Sequence, residues 1–230
     1  MTLLPKVAVA TLALAAVAGF GLWQAGPREG ASPLAAVSAA NAQTDAATDG
    51  AEAPAVEIKD MVLGQEDAPV TLIEYASYTC PHCATFHANV FKDLKRDYID
   101  TGKVRLVYRE VYFDRYGLWA AMIARCGGDM RYFGIQEMLY AQQSEWTASD
   151  DPNVVVNNLK TIGKTAGMDD ATLDACLQDG AKAQAMVEHY EKVMAEFDVK
   201  GTPTLVINGT LHSNMSYADL RTLLDAELAE

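Results

Sequence analysis

The stretch "YASYTCPHCATF", residues 75–86, restricts the fold more than any other part of the chain. Proline fixes φ and lacks an N–H, so it suits the first position of a helix. Pro81 therefore predicts a helix start, with Cys80 as N-cap, His82 second and Cys83 third. Before it, "VTLIEYAS" (70–77) is a short, mostly apolar run bounded by Pro69, which reads as a buried strand. The helix should run to about Ile99, with Phe86, Val90, Phe91, Leu94 and Tyr98 on one side, and stop at Thr101-Gly102. "KVRLVYREV" (103–111) alternates as a second strand. Strand, helix and strand at these lengths make a βαβ unit with parallel strands.

That placement gives the two cysteines different chemistry. An N-cap side chain faces the N–H groups of the second and third helical residues. Those donors and the positive end of the helix favour a thiolate on Cys80. A protonated His82 would lower its pKa further, although the same helix end disfavours the imidazolium. Cys83 lies inside the first turn, shielded, as the resolving thiol. A stable thiolate stabilises the dithiol, so the disulfide is easily reduced and acts as an oxidant. Zinc would need two more ligands, and a second C-x-x-C or an H-x-H is absent. A structural disulfide across two residues would close a tiny loop and stabilise little. The expected cofactor is none beyond the Cys80–Cys83 redox pair, and no metal.

The rest of the chain supplies the frame. From Arg115 to about Phe197 the pattern is helical, as in "YGLWAAMIARCG", "MRYFGIQEMLYAQQ" and "DPNVVVNNLKTIGKTAG". Trp119, Met122, Tyr132, Phe133 and Met138 recur at helical spacing and read as core. Then β returns: "TPTLVINGTLH" carries Asn208-Gly209, which favours a type I′ turn and a tight hairpin. "SYADLRTLLDAEL" closes as a helix capped by Ser216, with Asp219 at its third position. The order β-α-β, helices, β-β-α requires the two β halves to meet in one sheet. The expected fold class is α/β, with a sheet-bearing domain from residues 58–114 and 198–230 and a helical insertion from 115–197.

Ahead of it, Lys6 precedes an apolar run from Val7 to Trp23, which suits either a signal-peptide core or a short membrane anchor in residues 1–24. Ala40 and Ala42 offer a possible cleavage site. Residues 25–57, rich in Ala, Gly, Pro and acids, read as a flexible linker. Both readings imply export. The net charge of −13 speaks against nucleic-acid partners and against adhesion to anionic lipid. Cys126 and Cys176 lie in the helical insertion; export favours a bond between them over two buried thiols.

"LIEYASYT", "CPHC", the helical insertion and "GTPTLVING" together resemble the DsbA-like thiol:disulfide oxidoreductases of the thioredoxin superfamily, over residues 56–228. The resemblance implies a thioredoxin fold with an inserted all-helical domain. It implies a cis bond at Pro203, with the Thr202 backbone open to pair with an extended substrate. It gives Glu74, a carboxylate in a buried strand, the task of handling the proton of the inner thiol. Arg109 is the nearest candidate for its basic partner, and an arginine does not shed a proton. Tyr78 and Phe86 flank the active turn and are expected to line an apolar docking surface, with core packing an equal reading for Phe86. His87, His189 and His212 are expected at the surface or in packing. The implied activity is donation of disulfides to reduced exported polypeptides, with reoxidation by a membrane quinone-linked thiol oxidase. The expected state is a monomer in the periplasm, soluble or tethered by its N-terminus. Two other readings are a reductase or isomerase of the same fold, and a redox-inactive chaperone or peptide-binding module using the groove beside Pro203.

Overall fold

The computed structural model describes residues 56–230. The expected leader (1–24) and nearly all of the expected linker (25–57) lie outside the described residues. Among the described residues no helix is long and apolar enough to cross a membrane.

The strand and helix that flank the Cys-Pro-His-Cys turn form as the sequence predicts. Strand β2 spans Val70–Ala76, and helix α1 covers residues 81–99 in one run that includes π-helical turns at His87–Phe91 and Lys95–Ile99. Strand β3, Val104–Glu110, pairs parallel to β2, which completes the βαβ unit. The hairpin of β4 (Thr204–Ile207) and β5 (Thr210–Ser213) adds antiparallel to β2. Its turn places Asn208 at φ 44° and Gly209 at φ 90°, the left-handed geometry that Asn-Gly accommodates. One strand escaped the sequence reading. β1, Met61–Leu63, pairs antiparallel to β3; three residues are too few to show a strand period. The sheet order is β1-β3-β2-β4-β5.

Alternation along β2 sorts its residues between two faces. Val70 and Leu72 join Phe86 and Leu94 of α1, with Leu220 and Leu224 of the C-terminal helix α8 (Tyr217–Glu227), in one core. Tyr75 faces the other way, with Val206 of β4 and Val193 of α7 (Gly180–Glu196).

Between β3 and β4 come α2 (Arg115–Cys126), α3 (Asp129–Ala141), the short α4 (Gln143–Trp146), α5 (Pro152–Thr165), α6 (Asp170–Gln178) and α7. Asp114, Asp151 and Asp169 cap α2, α5 and α6, each accepting a hydrogen bond from a first-turn amide. The insertion shares a core of Ala120, Ile123, Leu139, Trp146, Leu159 and Leu173. A buried ion pair ties it to the sheet: Arg125 Nη2 lies 2.5 Å from Glu110 Oε2, and the Tyr132 hydroxyl donates to Glu110 Oε1 at 2.7 Å.

Cys126 at the end of α2 is bonded to Cys176 in α6, across a sequence separation of 50. Chain-entropy reasoning puts the worth of closing a loop that long at roughly 4 kcal/mol. The double variant Cys126→Ser/Cys176→Ser should therefore lose about that much unfolding free energy in urea titration. A midpoint equal to the wild type's would show that the bond does not hold the insertion together.

Candidate active site

The turn that ends β2 and starts α1 is held from three directions. The Cys80 N–H donates to the Ser77 carbonyl at 3.1 Å, and the Cys80 carbonyl accepts from the amides of Cys83 (3.1 Å) and Ala84 (3.2 Å). The Thr79 hydroxyl donates to Asp114 Oδ2 at 2.7 Å, which links the turn to the cap of α2. Gln143 reaches in from the insertion. Its buried Nε2 donates to the carbonyls of Tyr78 (2.7 Å) and Cys80 (3.0 Å). Sequence reasoning missed Gln143, because nothing local distinguishes one glutamine in a polar helical run.

Cys80 is the N-cap, with extended φ −81° and ψ 118°, and Pro81 opens the helix. Its side chain closes no cap hydrogen bond, so the expected helix amides contribute to the thiolate without being its largest source of stability. The thiol is nonetheless lowered well below the usual thiol range, to about 5. The largest cause is a hydrogen bond with the Cys83 thiol. Partial burial opposes it, and Thr202 and the backbone amides of Cys83 and His82 add smaller favourable contributions. As a thiol, Cys80 donates to the Thr202 carbonyl at 3.4 Å. The Thr202 hydroxyl is buried and has no partner in that state. A donor left idle beside the thiol gains a partner when the thiolate forms, so it favours ionisation.

Cys83 behaves oppositely. It is fully buried, and its thiol is raised because it donates to Cys80 and because its own ionised form would be desolvated. One helical turn thus places an acidic thiol at the surface above a protected one that supplies its hydrogen bond.

The remaining expected site residues divide. The Thr202–Pro203 bond is cis. Thr202 is half-buried and Pro203 buried, so the accessible contact at this loop is Thr202 with Gly201. His82 is exposed, and its amide, not its ring, bears on Cys80. Tyr78 does not line a surface. It is 1% exposed and its hydroxyl donates to Tyr132, so its expected part in substrate binding is corrected; Phe86, at 2%, takes the core reading of its two. Tyr78, two residues past the end of β2, points inward because the insertion packs over it, a tertiary effect without a local signal.

Glu74 is fully buried, as its strand position required, but its partner is not Arg109. In the β2–β3 register Arg109 stands opposite Tyr75, on the other face, where it binds Asp60, Glu196 and the Tyr75 hydroxyl. The partner is His87, whose Nε2 lies 2.9 Å from Glu74 Oε1 with both side chains buried. His87, expected at the surface or in packing, is a packing residue, stacked on Tyr140 and Phe91, that also carries the partner nitrogen of Glu74. Its signal was present: it follows Cys83 by four residues and so shares its helix face. His189 is half-buried at 3.2 Å from Asp60, and His212 is half-buried on β5. Among the described residues no three His, Cys, Asp or Glu side chains converge on a metal position.

The thioredoxin family model matches residues 57–226. A Rickettsia bellii protein named "Putative protein-disulfide oxidoreductase" is 32% identical over 176 residues, covering 76% of this chain and 67% of its own length. A Rickettsia felis protein of the same name is 34% identical, with 76% of this chain and 62% of the relative covered. The chain thus spans about two thirds of these relatives. The crystal structure of Wolbachia pipientis alpha-DsbA1 superposes with a TM-score of 0.69 at 26% identity, covering 76% of this chain and 93% of that one.

Iodoacetamide trapping of Cys80 should follow a single ionisation near pH 5. Thr202→Val, which removes the idle hydroxyl at nearly constant volume, should move that midpoint upward. A midpoint unchanged in Thr202→Val would show that the hydroxyl does not bear on the thiolate.

Proposed function

Since the chain belongs to the DsbA-like thiol:disulfide oxidoreductases of the thioredoxin superfamily, we propose that it donates disulfide bonds to reduced polypeptides through Cys80 and Cys83. The observation that carries this reading is the asymmetry of the pair, an acidic half-exposed thiol hydrogen-bonded to a buried, weakly acidic one. The step begins from the Cys80–Cys83 disulfide. A substrate thiolate attacks Cys80 Sγ; the new sulfur–sulfur bond forms as the old one breaks, and Cys83 takes the electron pair and a proton. A second substrate thiolate then attacks the substrate sulfur of the mixed disulfide, and Cys80 leaves as the stabilised thiolate. The substrate has lost two electrons and the Cys80–Cys83 pair has gained them.

The residues around the sulfurs fit these roles. The Thr202 carbonyl, 3.4 Å from Cys80 Sγ, lies where an extended substrate backbone can pair beside the mixed disulfide. Glu74 handles the proton of Cys83 from the buried side. The cycle needs an oxidant that removes two electrons per turn, and a membrane quinone-linked thiol oxidase is the partner we assign to it. Export to the periplasm is supported by the apolar run from Val7 to Trp23 and by the Cys126–Cys176 bond, which persists in oxidising compartments. The chain acts there as a monomer, soluble or tethered through its N-terminus.

Reductase and oxidase of this fold differ in the direction the thiol equilibrium favours. Stabilising the Cys80 thiolate stabilises the dithiol, which favours the oxidase. The oxidised protein, mixed with a reduced two-cysteine peptide, should form the peptide disulfide, and Cys80→Ser and Cys83→Ser, neither of which can hold the Cys80–Cys83 disulfide, should each abolish this. Equilibration against glutathione buffers should show a midpoint well above that of thioredoxin, about −270 mV. A midpoint at or below that value would make the protein a reductase, and peptide binding unaffected in Cys80→Ser without any peptide oxidation would make it a binding module.

A further inference from the structure

The Cys80–Cys83 turn belongs to the sheet-bearing part of the chain, yet one of its holds comes from the helical insertion. Gln143, the first residue of α4, is 8% exposed, and its side-chain amide donates to the carbonyls of Tyr78 (2.7 Å) and Cys80 (3.0 Å). One amide group therefore spans the three residues that precede α1, with both of its N–H donors in use. Tyr78 is fully buried, and among the described residues Gln143 is the donor that its carbonyl meets. The Cys80 carbonyl already accepts from the amides of Cys83 (3.1 Å) and Ala84 (3.2 Å), the bonds that open α1. An N-cap carbonyl needs only such intrahelical partners. Here a third donor arrives from a distant part of the sequence.

Gln143 is itself fixed from the insertion side. The Gln142 carbonyl accepts from the amides of Glu145 (2.9 Å) and Trp146 (3.0 Å), and the Thr147 hydroxyl donates to the Gln143 carbonyl at 2.6 Å. Trp146, 1% exposed in the insertion core, donates its indole N–H to the Leu139 carbonyl at 2.8 Å. The amide is thus presented by a turn bonded into that core. Its effect on the turn it reaches has a definite sign. The carbonyl oxygens of Tyr78 and Cys80 carry negative partial charge, which disfavours a negative sulfur on the same turn, and the Gln143 N–H groups offset it. The same bonds hold the Cys80 peptide where the amides of His82 and Cys83 bear on the sulfur. Losing either contribution disfavours the thiolate.

We propose that Gln143 is a positioning residue through which the helical insertion sets the oxidising strength of the Cys80–Cys83 pair. The inference rests on the oxidoreductase reading and adds to it a residue from outside the sheet-bearing domain. Gln143 acts through the peptide groups of Tyr78 and Cys80, not on the sulfurs directly. With its two bonds in place the thiolate is favoured, the dithiol is stabilised and the disulfide is the better oxidant. Without them the pair keeps its hydrogen bond between the sulfurs but loses part of that bias.

The test uses the full-length chain and two measurements. Iodoacetamide trapping gives the ionisation midpoint of Cys80 whether or not the protein oxidises any substrate, and equilibration with glutathione gives the oxidising strength. Gln143→Met keeps the reach of the side chain and removes both donors. Its Cys80 midpoint should rise from near 5 by about one pH unit, the scale of one lost buried hydrogen bond. At pH 7 its equilibrium with glutathione should shift about tenfold toward the disulfide, or about 30 mV. Gln143→Glu, whose ionised carboxylate donates nothing and adds charge, should raise the midpoint at least as far. A residue that only braces the fold would lower the midpoint of urea unfolding and leave the ionisation near pH 5, and that result in Gln143→Met would overturn the proposal. Should Gln143→Met fail to fold, Gln143→Glu decides alone: a raised ionisation midpoint supports the proposal and one near 5 overturns it. A wild-type protein that leaves a reduced two-cysteine peptide unoxidised would overturn the oxidoreductase reading itself, while the alkylation midpoints would still decide the role of Gln143.

Discussion

The hydrogen bond from the Cys83 thiol to Cys80 is the interaction on which the rest depends. It couples the two sulfurs, so that stabilising charge on one makes the other a weaker acid. A lone cysteine at a helix start would gain only what amides and the helix dipole supply, and here those are the smaller contributions. The buried neighbour adds more because it is close and is itself kept protonated by burial. The fold's task is to hold one thiol under the surface and the other at it, three residues apart.

The two parts of the structure share that task. The sheet fixes the end of β2, and Pro81 forces α1 to begin immediately after Cys80. The insertion then closes over the turn. Gln143 binds two of its carbonyls, Asp114 holds Thr79, and Tyr78 is buried against Tyr132 and Tyr140. From the other side the β4 entry brings Thr202 against Cys80. Residues from four separate stretches of sequence therefore meet at one turn.

Much of this was legible in the sequence because its signals are local. A proline between two cysteines fixes a helix start, alternation marks β2 and β3, Asn208-Gly209 fixes a hairpin, and Ser216 caps the last helix. The Cys126–Cys176 bond followed from an even cysteine count and the inferred compartment. What was not legible depended on which elements meet. β1 is too short to show a period, and Gln143 becomes special only once the insertion folds over the turn. Tyr78 reads as a surface aromatic until the same insertion covers it. Arg109 matches Glu74 by charge, but one residue of register sends it to the opposite face. His87 lay within reach of inference through its four-residue spacing from Cys83. A histidine on an apolar helix face is usually packing, and only the pairing with Glu74 marks this one out.

The central claim is that the reduced protein holds one ionised and one protonated sulfur throughout the neutral range. The variation of reduction potential with pH tests it most directly, since the slope counts the protons taken up with the two electrons. Below about pH 5 both sulfurs bind protons, and the potential should fall by about 59 mV per pH unit; above it only Cys83 does, and the slope should halve to about 30 mV. A break near pH 5 is the predicted result. A single steep slope that bends only near pH 8.5, where an unperturbed thiol ionises, would contradict the account.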